Sequence, residues 1–516
     1  MSDWSKLGAR ALGGLLGVVV VAPFIWLVLR AWGGADQAGA ILFNSAMLEA
    51  VVASLTLAAA VSIVCVLIAL PLAWLTHATD MPARRHLRRI MVLPLAVPSY
   101  VSGFVVVALL GPSGLASDLG LPLPDVYGFF GAFVALLFVY PYVLLPLQAA
   151  MARVDPRTWE AARSLGASPL RAFREIILPA VRPAATRGGL LVGLYVLGDF
   201  GAVSLLRFPS LSYLIYVRYS SPFMRHEAVW YAFVLMLVAL AFLAAGALIE
   251  RRPKQARNTG TIRPWPVIAL GPYRWVAFAF CVVVAGFGAL LPIGVVGWWL
   301  IRGMAQGNTL IPLYTETLNS LGLAAGAAVL ITFVGLIPAL LHRFDSGRFS
   351  RFLDRSVHVG YTLPGIVVAL ALVYMGTRGF PWLYHTVWML QLAYLIRFLP
   401  QASTTMADGL SQQNPRLYEA ARSLGQSPMG AIRRVVLPVA LPSLAAAGLA
   451  VFISVIKELP ATILLKPPGF STLAQRIWSL TQDAFFTATA PTVFVLLSLA
   501  LGALWLRPDT DLRGQD

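Results

Sequence analysis

Charged residues are scarce in this sequence. Asp, Glu, Lys and Arg make up 12% of its 516 residues, about half the share found in an ordinary soluble domain. Hydrophobic residues make up 59%, and they form long uncharged runs such as 14–29 and 50–79. Because a bilayer core of roughly 30 Å is crossed by about 20 apolar helical residues, these runs predict membrane spans. A large soluble protein would need polar helix faces, and the runs lack them.

Cysteine and lysine are also rare, and their positions exclude several kinds of site. The two cysteines, Cys65 and Cys281, lie far apart in separate apolar runs, and the six histidines show no metal-ligand spacing. We therefore predict no metal site and no redox centre. A phosphate-binding loop requires Gly-Lys-Ser/Thr, but no lysine here follows a glycine. The four lysines are Lys6, Lys254, Lys457 and Lys466. The chain contains no such loop and no recognisable catalytic constellation.

Twelve apolar runs lie between clusters of charge. The first six are near 11–31, 48–76, 90–111, 127–150, 188–206 and 229–249, and the second six near 275–301, 316–341, 356–376, 382–404, 443–465 and 487–506. Alternate connections and the two tails hold 29 of the 39 basic residues. This asymmetry orients membrane proteins, so both termini are predicted in the cytoplasm. The net charge of +17 is thereby explained by the membrane and not by nucleic acid. The predicted partner is the lipid bilayer.

The sequence contains an internal repeat at an offset of 259 residues. Segment 160–183 matches segment 419–442 at 14 of 24 positions, without a gap. Since each half holds six spans, the two repeats face the same way across the membrane. We predict an all-α polytopic membrane protein of about twelve helices in two parallel six-helix repeats. The first repeat is 1–250, a charged, proline-containing cytoplasmic linker is 251–274, and the second repeat is 275–516.

The most similar part of the repeat is a predicted cytoplasmic loop, near 153–180 and 412–439. Pro156 suits the first turn of a short helix, and Gly166 permits the positive φ that ends it. Ser168 can cap a second helix that has Pro169 at its first position. The second copy repeats each device. The pattern predicts two helix–turn–helix elbows, each with an Ala-Ala pair that allows close approach by another protein. An incidental surface elbow would be expected once, not twice at one offset.

These loops resemble the Glu-Ala-Ala loop of ABC importer permeases, in which a glycine follows six residues after the glutamate. In that family the loop is the coupling helix that inserts into the ATP-binding subunit. The resemblance implies coupling roles for Glu160, Ala161, Ala162, Gly166, Glu419, Ala420, Ala421 and Gly425. It also implies two ATP-binding cassette subunits that bind ATP and Mg, an external or periplasmic solute-binding protein, and a bacterial plasma (inner) membrane location. This chain would itself be a non-catalytic transport subunit without a cofactor.

Three stretches bear on the solute: 198–207, 360–365 and 456–465. They are similar to the fused two-repeat permeases of ferric-iron uptake. Permeases for thiamine and for phosphonates share this architecture, so these solutes stay open. A secondary transporter driven by an ion gradient can also have twelve helices in parallel halves, but it does not explain the repeated docking elbow.

Charges inside predicted spans are costly and commonly functional, and three of them stand out. Asp199 and Glu458 occupy equivalent positions in the two repeats, and Lys457 precedes Glu458. Acidic oxygens would suit a hard cation such as Fe³⁺, so all three are candidates for the solute pathway. The alternative is structural: Lys457 neutralises Glu458, and Asp199 pairs with Arg207 or Arg397.

Overall fold

The computed structural model describes residues 3–34, 36, 38–121, 125–250, 267–307, 312–344 and 347–505. Within these ranges the chain is helical between its connections and contains no β-strand, although an isolated bridge joins Thr79 to Ile268. Most of the predicted linker, 251–266, lies outside the described residues, as does the carboxyl tail from 506. The fold is therefore all-α, as predicted.

The helices of the first repeat are α1 (Asp3–Trp32), α2 (Ala38–Leu42), α3 (Ser45–Ala78), α4 (Arg84–Ile90), α5 (Ser99–Leu110), α6 (Leu115–Asp118), α7 (Phe129–Leu136), α8 (Pro141–Met151), α9 (Pro156–Ser164), α10 (Pro169–Ala172), α11 (Leu178–Gly198), α12 (Gly201–Leu205), α13 (Leu211–Ser220) and α14 (Arg225–Glu250). Short 3₁₀ turns lie at Leu93–Ala96 and Leu137–Val139, and a π-helical turn at Phe173–Ile177 joins α10 to α11.

The helices of the second repeat are α15 (Arg274–Ala285), α16 (Leu291–Ala305), α17 (Tyr314–Phe344), α18 (Arg348–Thr362), α19 (Gly365–Arg378), α20 (Val387–Ser411), α21 (Pro415–Ser423), α22 (Pro428–Ala431), α23 (Leu437–Ile456), α24 (Pro460–Leu465), α25 (Leu473–Gln482) and α26 (Phe486–Trp505). A 3₁₀ turn lies at Gly271–Tyr273, and π-helical turns lie at Gly286–Leu290 and Ile432–Val436.

Nine helices among the described residues are long and apolar enough to cross a membrane. They are Arg10–Trp32, Ser45–Ala78, Ser99–Asp118, Phe129–Met151, Arg225–Gly246, Gly271–Ala305, Tyr314–Phe344, Pro428–Ile456 and Phe486–Ala503. The other three predicted spans coincide with α11, with α18 and α19, and with α20. Every predicted span therefore contains a helix, and the chain is a multi-pass membrane protein.

Several predicted spans are interrupted where the sequence suggested continuous helix, among them 188–206, 443–465 and 356–376. Span 188–206 breaks at Asp199, between α11 and α12, and span 443–465 breaks at 457–459, between α23 and α24. Span 356–376 breaks at Leu363 and Pro364, between α18 and α19. Pro364 lies at the last of these breaks, and a proline supplies no N–H and therefore cannot continue a helix from the preceding turn. Hydrophobicity predicts that these segments lie in the membrane, but it does not predict where their helices break.

The two repeats have the same internal packing. In the first, α3 packs against α8 and α11; in the second, α17 packs against α20 and α23. A hydroxyl on each long helix accepts a hydrogen bond from a later connection: Ser54 Oγ from Leu211 N–H, and Ser320 Oγ from Leu473 N–H, both at 2.9 Å. The order of elements from α9 to α14 recurs from α21 to α26. The two halves are copies of one fold.

The repeats also exchange their first helices. Helix α1 packs against α18 and α19 of the second repeat, and α16 packs against α5 of the first. The Trp299 indole N–H donates to the Ala108 carbonyl at 3.1 Å across this contact. Where the chain returns after the linker, Ile268 N–H donates to the Ala78 carbonyl at 2.8 Å. Each repeat therefore packs one of its first helices against the other repeat.

Close packing of α8 on α11 gives a test of the fold. A Cβ at Gly188 would lie 2.8 Å from the Val143 Cα, whereas a Cβ at Gly322 on α17 would meet nothing within 4 Å. We expect Gly188→Ala to lower the melting temperature of the purified protein, because neither backbone can yield easily. Gly322→Ala should leave it unchanged or raise it, because alanine is the better helix former. Equal melting temperatures would contradict the packing of α8 on α11.

Candidate functional site

The first repeated elbow is built by local hydrogen bonds. Helix α9 begins at Asp155, whose carboxylate accepts the Arg157 N–H at 2.9 Å, and its end is followed by Gly166 at φ +85°. The Arg163 guanidinium then donates to the Ala167 carbonyl at 2.6 Å, which closes the turn. These contacts lie within a dozen residues, so the local sequence is sufficient to specify the turn.

The second elbow repeats this geometry. Asn414 caps α21 by accepting the Arg416 N–H at 3.0 Å, and Gly425 has φ +81°. Arg422 donates to the Gln426 carbonyl at 2.6 Å. The two turns are equivalent in backbone and in side-chain contacts, although the capping residue differs.

Each elbow continues without a break into a long helix. Ser168 caps α10 by accepting the Arg171 N–H at 3.2 Å, and Ser427 caps α22 by accepting the Gly430 N–H at 3.0 Å. The π-helical turns then join α10 to α11 and α22 to α23. The helical rod of the first repeat runs from Pro169 to Gly198, a length of about 45 Å at 1.5 Å per residue.

Aromatic pairs hold the elbows against the membrane-spanning helices. Trp159 of α9 packs on Trp74 of α3 with ring centroids 5.2 Å apart, and Tyr418 of α21 packs on Phe344 of α17 at 4.9 Å. Helices α3 and α17 are equivalent in the two repeats. Each elbow is therefore fixed at the same end of the same helix.

The outer surface of each elbow is exposed and partly apolar. Leu165 is 89% exposed and Leu424 is 82% exposed. Exposed apolar side chains at matched positions mark a surface that another protein can cover. The predicted coupling residues Glu160, Ala161, Gly166, Glu419, Ala420 and Gly425 are all exposed, whereas Ala162 is half-buried and Ala421 is buried. Only the first alanine of each pair faces outward.

A second feature is a cavity of about 350 Å³ between the repeats. Its wall comes from both halves: residues 94–100, 138–142 and 191–201 of the first, and residues 363–365, 397–401 and 454–460 of the second. It contains all three predicted pathway residues, Asp199, Lys457 and Glu458, together with Arg397. We call it the central cavity.

The two carboxylates cap the interrupted helices. Asp199 Oδ1 accepts the Ala202 N–H at 3.0 Å, and Glu458 Oε1 accepts the Ala461 N–H at 3.3 Å. Asp199 is 6% exposed and Glu458 is 7% exposed. Their first role is to satisfy backbone N–H groups at the start of α12 and α24.

The charge partners differ from those considered from the sequence. Arg397 forms an ion pair with Glu458, whereas Lys457 donates a hydrogen bond to the Leu95 carbonyl of the other repeat at 3.0 Å. Arg207 lies over the Tyr127 ring, 4.7 Å from its centroid. Thus Glu458 is neutralised by Arg397 and not by its neighbour, and Lys457 links the halves.

An aromatic contact beside the cavity has no signal in the sequence. The Trp478 indole N–H donates to Ser204 Oγ of the other repeat at 2.8 Å, and its ring lies 6.0 Å from Phe200 and 5.5 Å from Tyr216. Trp478 is on α25, which lies outside the predicted spans, so hydropathy offered no signal for it. Among the described residues, no group of three or more His, Cys, Asp and Glu side chains could hold a metal ion.

Comparison with known proteins agrees with this geometry. The Fe(3+)-transport system permease protein FbpB 2 of Haemophilus influenzae is 29% identical over 495 residues, 94% of this chain and 94% of that protein. The thiamine transport system permease protein ThiP of Brucella abortus is 28% identical over 66% of this chain and 65% of its own length. The sulfate transport system permease protein CysT of Salmonella typhimurium is 33% identical over 26% of this chain and 49% of its own length.

The family match covers both repeats. Residues 69–255 and 332–508 each match the family described as binding-protein-dependent transport system inner membrane component. Each matched region contains one elbow and the interrupted helix that follows it. This chain therefore belongs to the family of binding-protein-dependent transport system inner membrane components, with the family domain present twice.

Proposed function

We propose that this chain supplies both halves of the membrane-spanning permease of an ATP-driven ABC importer, with one ATPase subunit docked on each elbow. The two elbows carry this proposal, because each has a capped first helix, an arginine that closes the turn and an exposed leucine at the matched position. ATP and Mg would be bound by the partner subunits, since this chain has no phosphate-binding loop. The chain itself would be a non-catalytic subunit.

One long helix connects each elbow to the central cavity, which supports a transmission of movement from the elbow to the cavity. Helix α11 follows the first elbow and ends at Asp199, and α23 follows the second and ends at Lys457 and Glu458. All three residues line the central cavity. A displacement of an elbow by its ATPase would move the end of a stiff helix at the cavity wall. We infer that the central cavity, at the interface of the halves, is the solute pathway.

Orientation follows from the distribution of basic residues. Both elbows lie in connections that are rich in Arg, which favours the cytoplasmic side of a bacterial plasma membrane. Both termini would then be cytoplasmic. A solute-binding protein would dock on the opposite, external face, in keeping with the family description.

We propose ferric iron as the imported element, because a relative that matches 94% of this chain is a Fe(3+)-transport permease. Thiamine is the alternative favoured by a second relative, and phosphonate or another small solute would suit the same architecture. A secondary transporter is disfavoured, because a transporter driven by an ion gradient would not need two elbows on which ATPase subunits dock.

The coupling role is tested by straining the turn of both elbows. At φ values of +85° and +81°, valine is strongly disfavoured and asparagine is tolerated. We expect the double variant Gly166→Val, Gly425→Val to lose most transport and most stimulation of ATP hydrolysis while the membrane domain stays assembled. Gly166→Asn with Gly425→Asn should retain both activities.

A matched control places the same strain elsewhere. Gly120 and Gly307, one in each repeat, have φ values of +67° and +73° and lie outside the elbows. Gly120→Val with Gly307→Val should keep coupling. If the elbow valine variant hydrolyses ATP and transports like the wild type, the elbows do not couple the ATPase.

The solute is tested in proteoliposomes that contain this chain and its ATPase partners. We expect a ferric-loaded solute-binding protein to stimulate ATP hydrolysis severalfold and to drive iron uptake, whereas the same protein without iron should not. If only a thiamine-loaded solute-binding protein stimulated ATP hydrolysis, the imported solute would be thiamine and not iron. Uptake driven by an ion gradient without any ATPase subunit would overturn the importer proposal.

A further inference from the structure

Charge in the central cavity is divided unequally between the two repeats. The carboxylates Asp199 and Glu458 are equivalent at the offset of 259, so each repeat contributes one. The cations have no such counterparts. At the same offset, the position of Arg397 is occupied by Phe138 in the first repeat. Both cations of the cavity wall, Arg397 and Lys457, therefore come from the second repeat, since Gly198 stands opposite Lys457.

The two carboxylates are buried and already occupied. Asp199 Oδ1 accepts the Ala202 N–H at 3.0 Å and the Val203 N–H at 3.4 Å. Glu458 accepts the Ala461 N–H and pairs with Arg397. A cation that coordinated these oxygens would have to compete for their lone pairs with backbone N–H groups and, at Glu458, with Arg397. The acidic pair is thus poorly placed to bind a bare metal ion.

The groups left accessible are hydrogen-bond donors. The Arg397 side chain is 22% exposed, three times the 7% of its partner Glu458. An ammonium has three donors, and among the described contacts Lys457 uses one, to the Leu95 carbonyl. Gln401 accepts a hydrogen bond from Ser454 through Oε1 at 3.0 Å, which leaves its amide NH₂ as a further donor on the wall.

From this wall we propose that the central cavity recognises its cargo as an anion rich in oxygen, through Lys457 and Arg397. The cargo class is an oxyanion, or ferric iron enclosed in oxygen ligands that give the complex a net negative charge. A cleft whose accessible charge is positive concentrates anions and repels cations, and charge-assisted donors bind anionic oxygens strongly. The inference rests on the proposed function only in taking the central cavity as the pathway.

The size of the cavity agrees with this class of cargo. Its 350 Å³ lies at the lower end of the range of about 300–1,000 Å³ in which proteins hold small molecules. A bare ion would leave most of that space to water, whereas a small chelate or a hydrated oxyanion would reach both Lys457 and Arg397 on the wall.

The test measures binding to the full chain in lipid nanodiscs. The anionic probes are radiolabelled ferric citrate and radiolabelled inorganic phosphate, and the cationic probe is hexaamminecobalt(III), a trivalent ion that cannot exchange its ligands readily. We expect at least one anionic probe to bind the wild type. Its dissociation constant should rise about tenfold in Lys457→Gln, the loss of one charge-assisted contact. Hexaamminecobalt(III) should not compete.

Two variants control this comparison. Lys457→Arg keeps the positive charge and should bind the anion within about twofold of the wild type, even if the contact with Leu95 is altered. Lys466→Gln makes the same charge change nine residues away, at a side chain that does not line the cavity, and should bind like the wild type. Melting temperatures of all variants separate a loss of binding from a loss of folding.

The outcomes separate this inference from the identity of the imported element. Binding of phosphate without binding of ferric citrate would support the anion site and count against ferric iron. Binding of ferric citrate alone would support an anionic ferric complex. The inference is overturned if no anionic probe binds, if Lys457→Gln binds as well as the wild type, or if hexaamminecobalt(III) binds and binds more tightly to Lys457→Gln. Iron uptake could persist in each of these cases.

Discussion

The central cavity depends on two buried carboxylates that satisfy the backbone where long helices break. In the interior of a membrane there is no bulk water to bind the N–H groups that a break releases, and each unpaired group costs several kcal/mol. Asp199 and Glu458 accept such groups at the first turns of α12 and α24. A buried carboxylate is itself costly unless it is compensated, and Arg397 compensates Glu458. The breaks, the cavity between them and its cations form one structural unit.

The same two helices connect this unit to the surface. Each helix follows an elbow whose turn is closed by an arginine side chain, and each ends at a break in the cavity wall. One helix therefore connects each elbow to the cavity. The repeats are held together across the cavity by Lys457 on the Leu95 carbonyl and by Trp478 on Ser204. A movement of one half relative to the other that separated these residues would have to break both bonds.

The elbows could be predicted from the sequence because their determinants are local: a cap, a proline, and Gly166 or Gly425 at a fixed spacing. The number of membrane spans could be predicted because long apolar runs indicate which segments lie in the membrane. Neither signal locates a break inside an apolar run, so the sequence predicts continuous helices over 188–206, 356–376 and 443–465, and the structure breaks all three. The pairing of Arg397 with Glu458 and the bond from Lys457 to Leu95 join residues that are distant in the chain, and tertiary packing alone decides them. The fold was therefore more predictable than the chemistry of the cavity.

If the central cavity is the solute pathway of an ATP-driven importer, as we propose, it should be accessible from only one side of the membrane at a time. Ser454→Cys would place a thiol on the cavity wall, and the native Cys65 and Cys281 are fully buried and so give little background. Labelling by a water-soluble, membrane-impermeant maleimide would be measured from each side of vesicles that contain the complex with its ATPase, without nucleotide and with trapped ATP. The account predicts labelling from one side in the first state and from the other side in the second. Labelling from both sides in one state, or from neither side in both states, would contradict it.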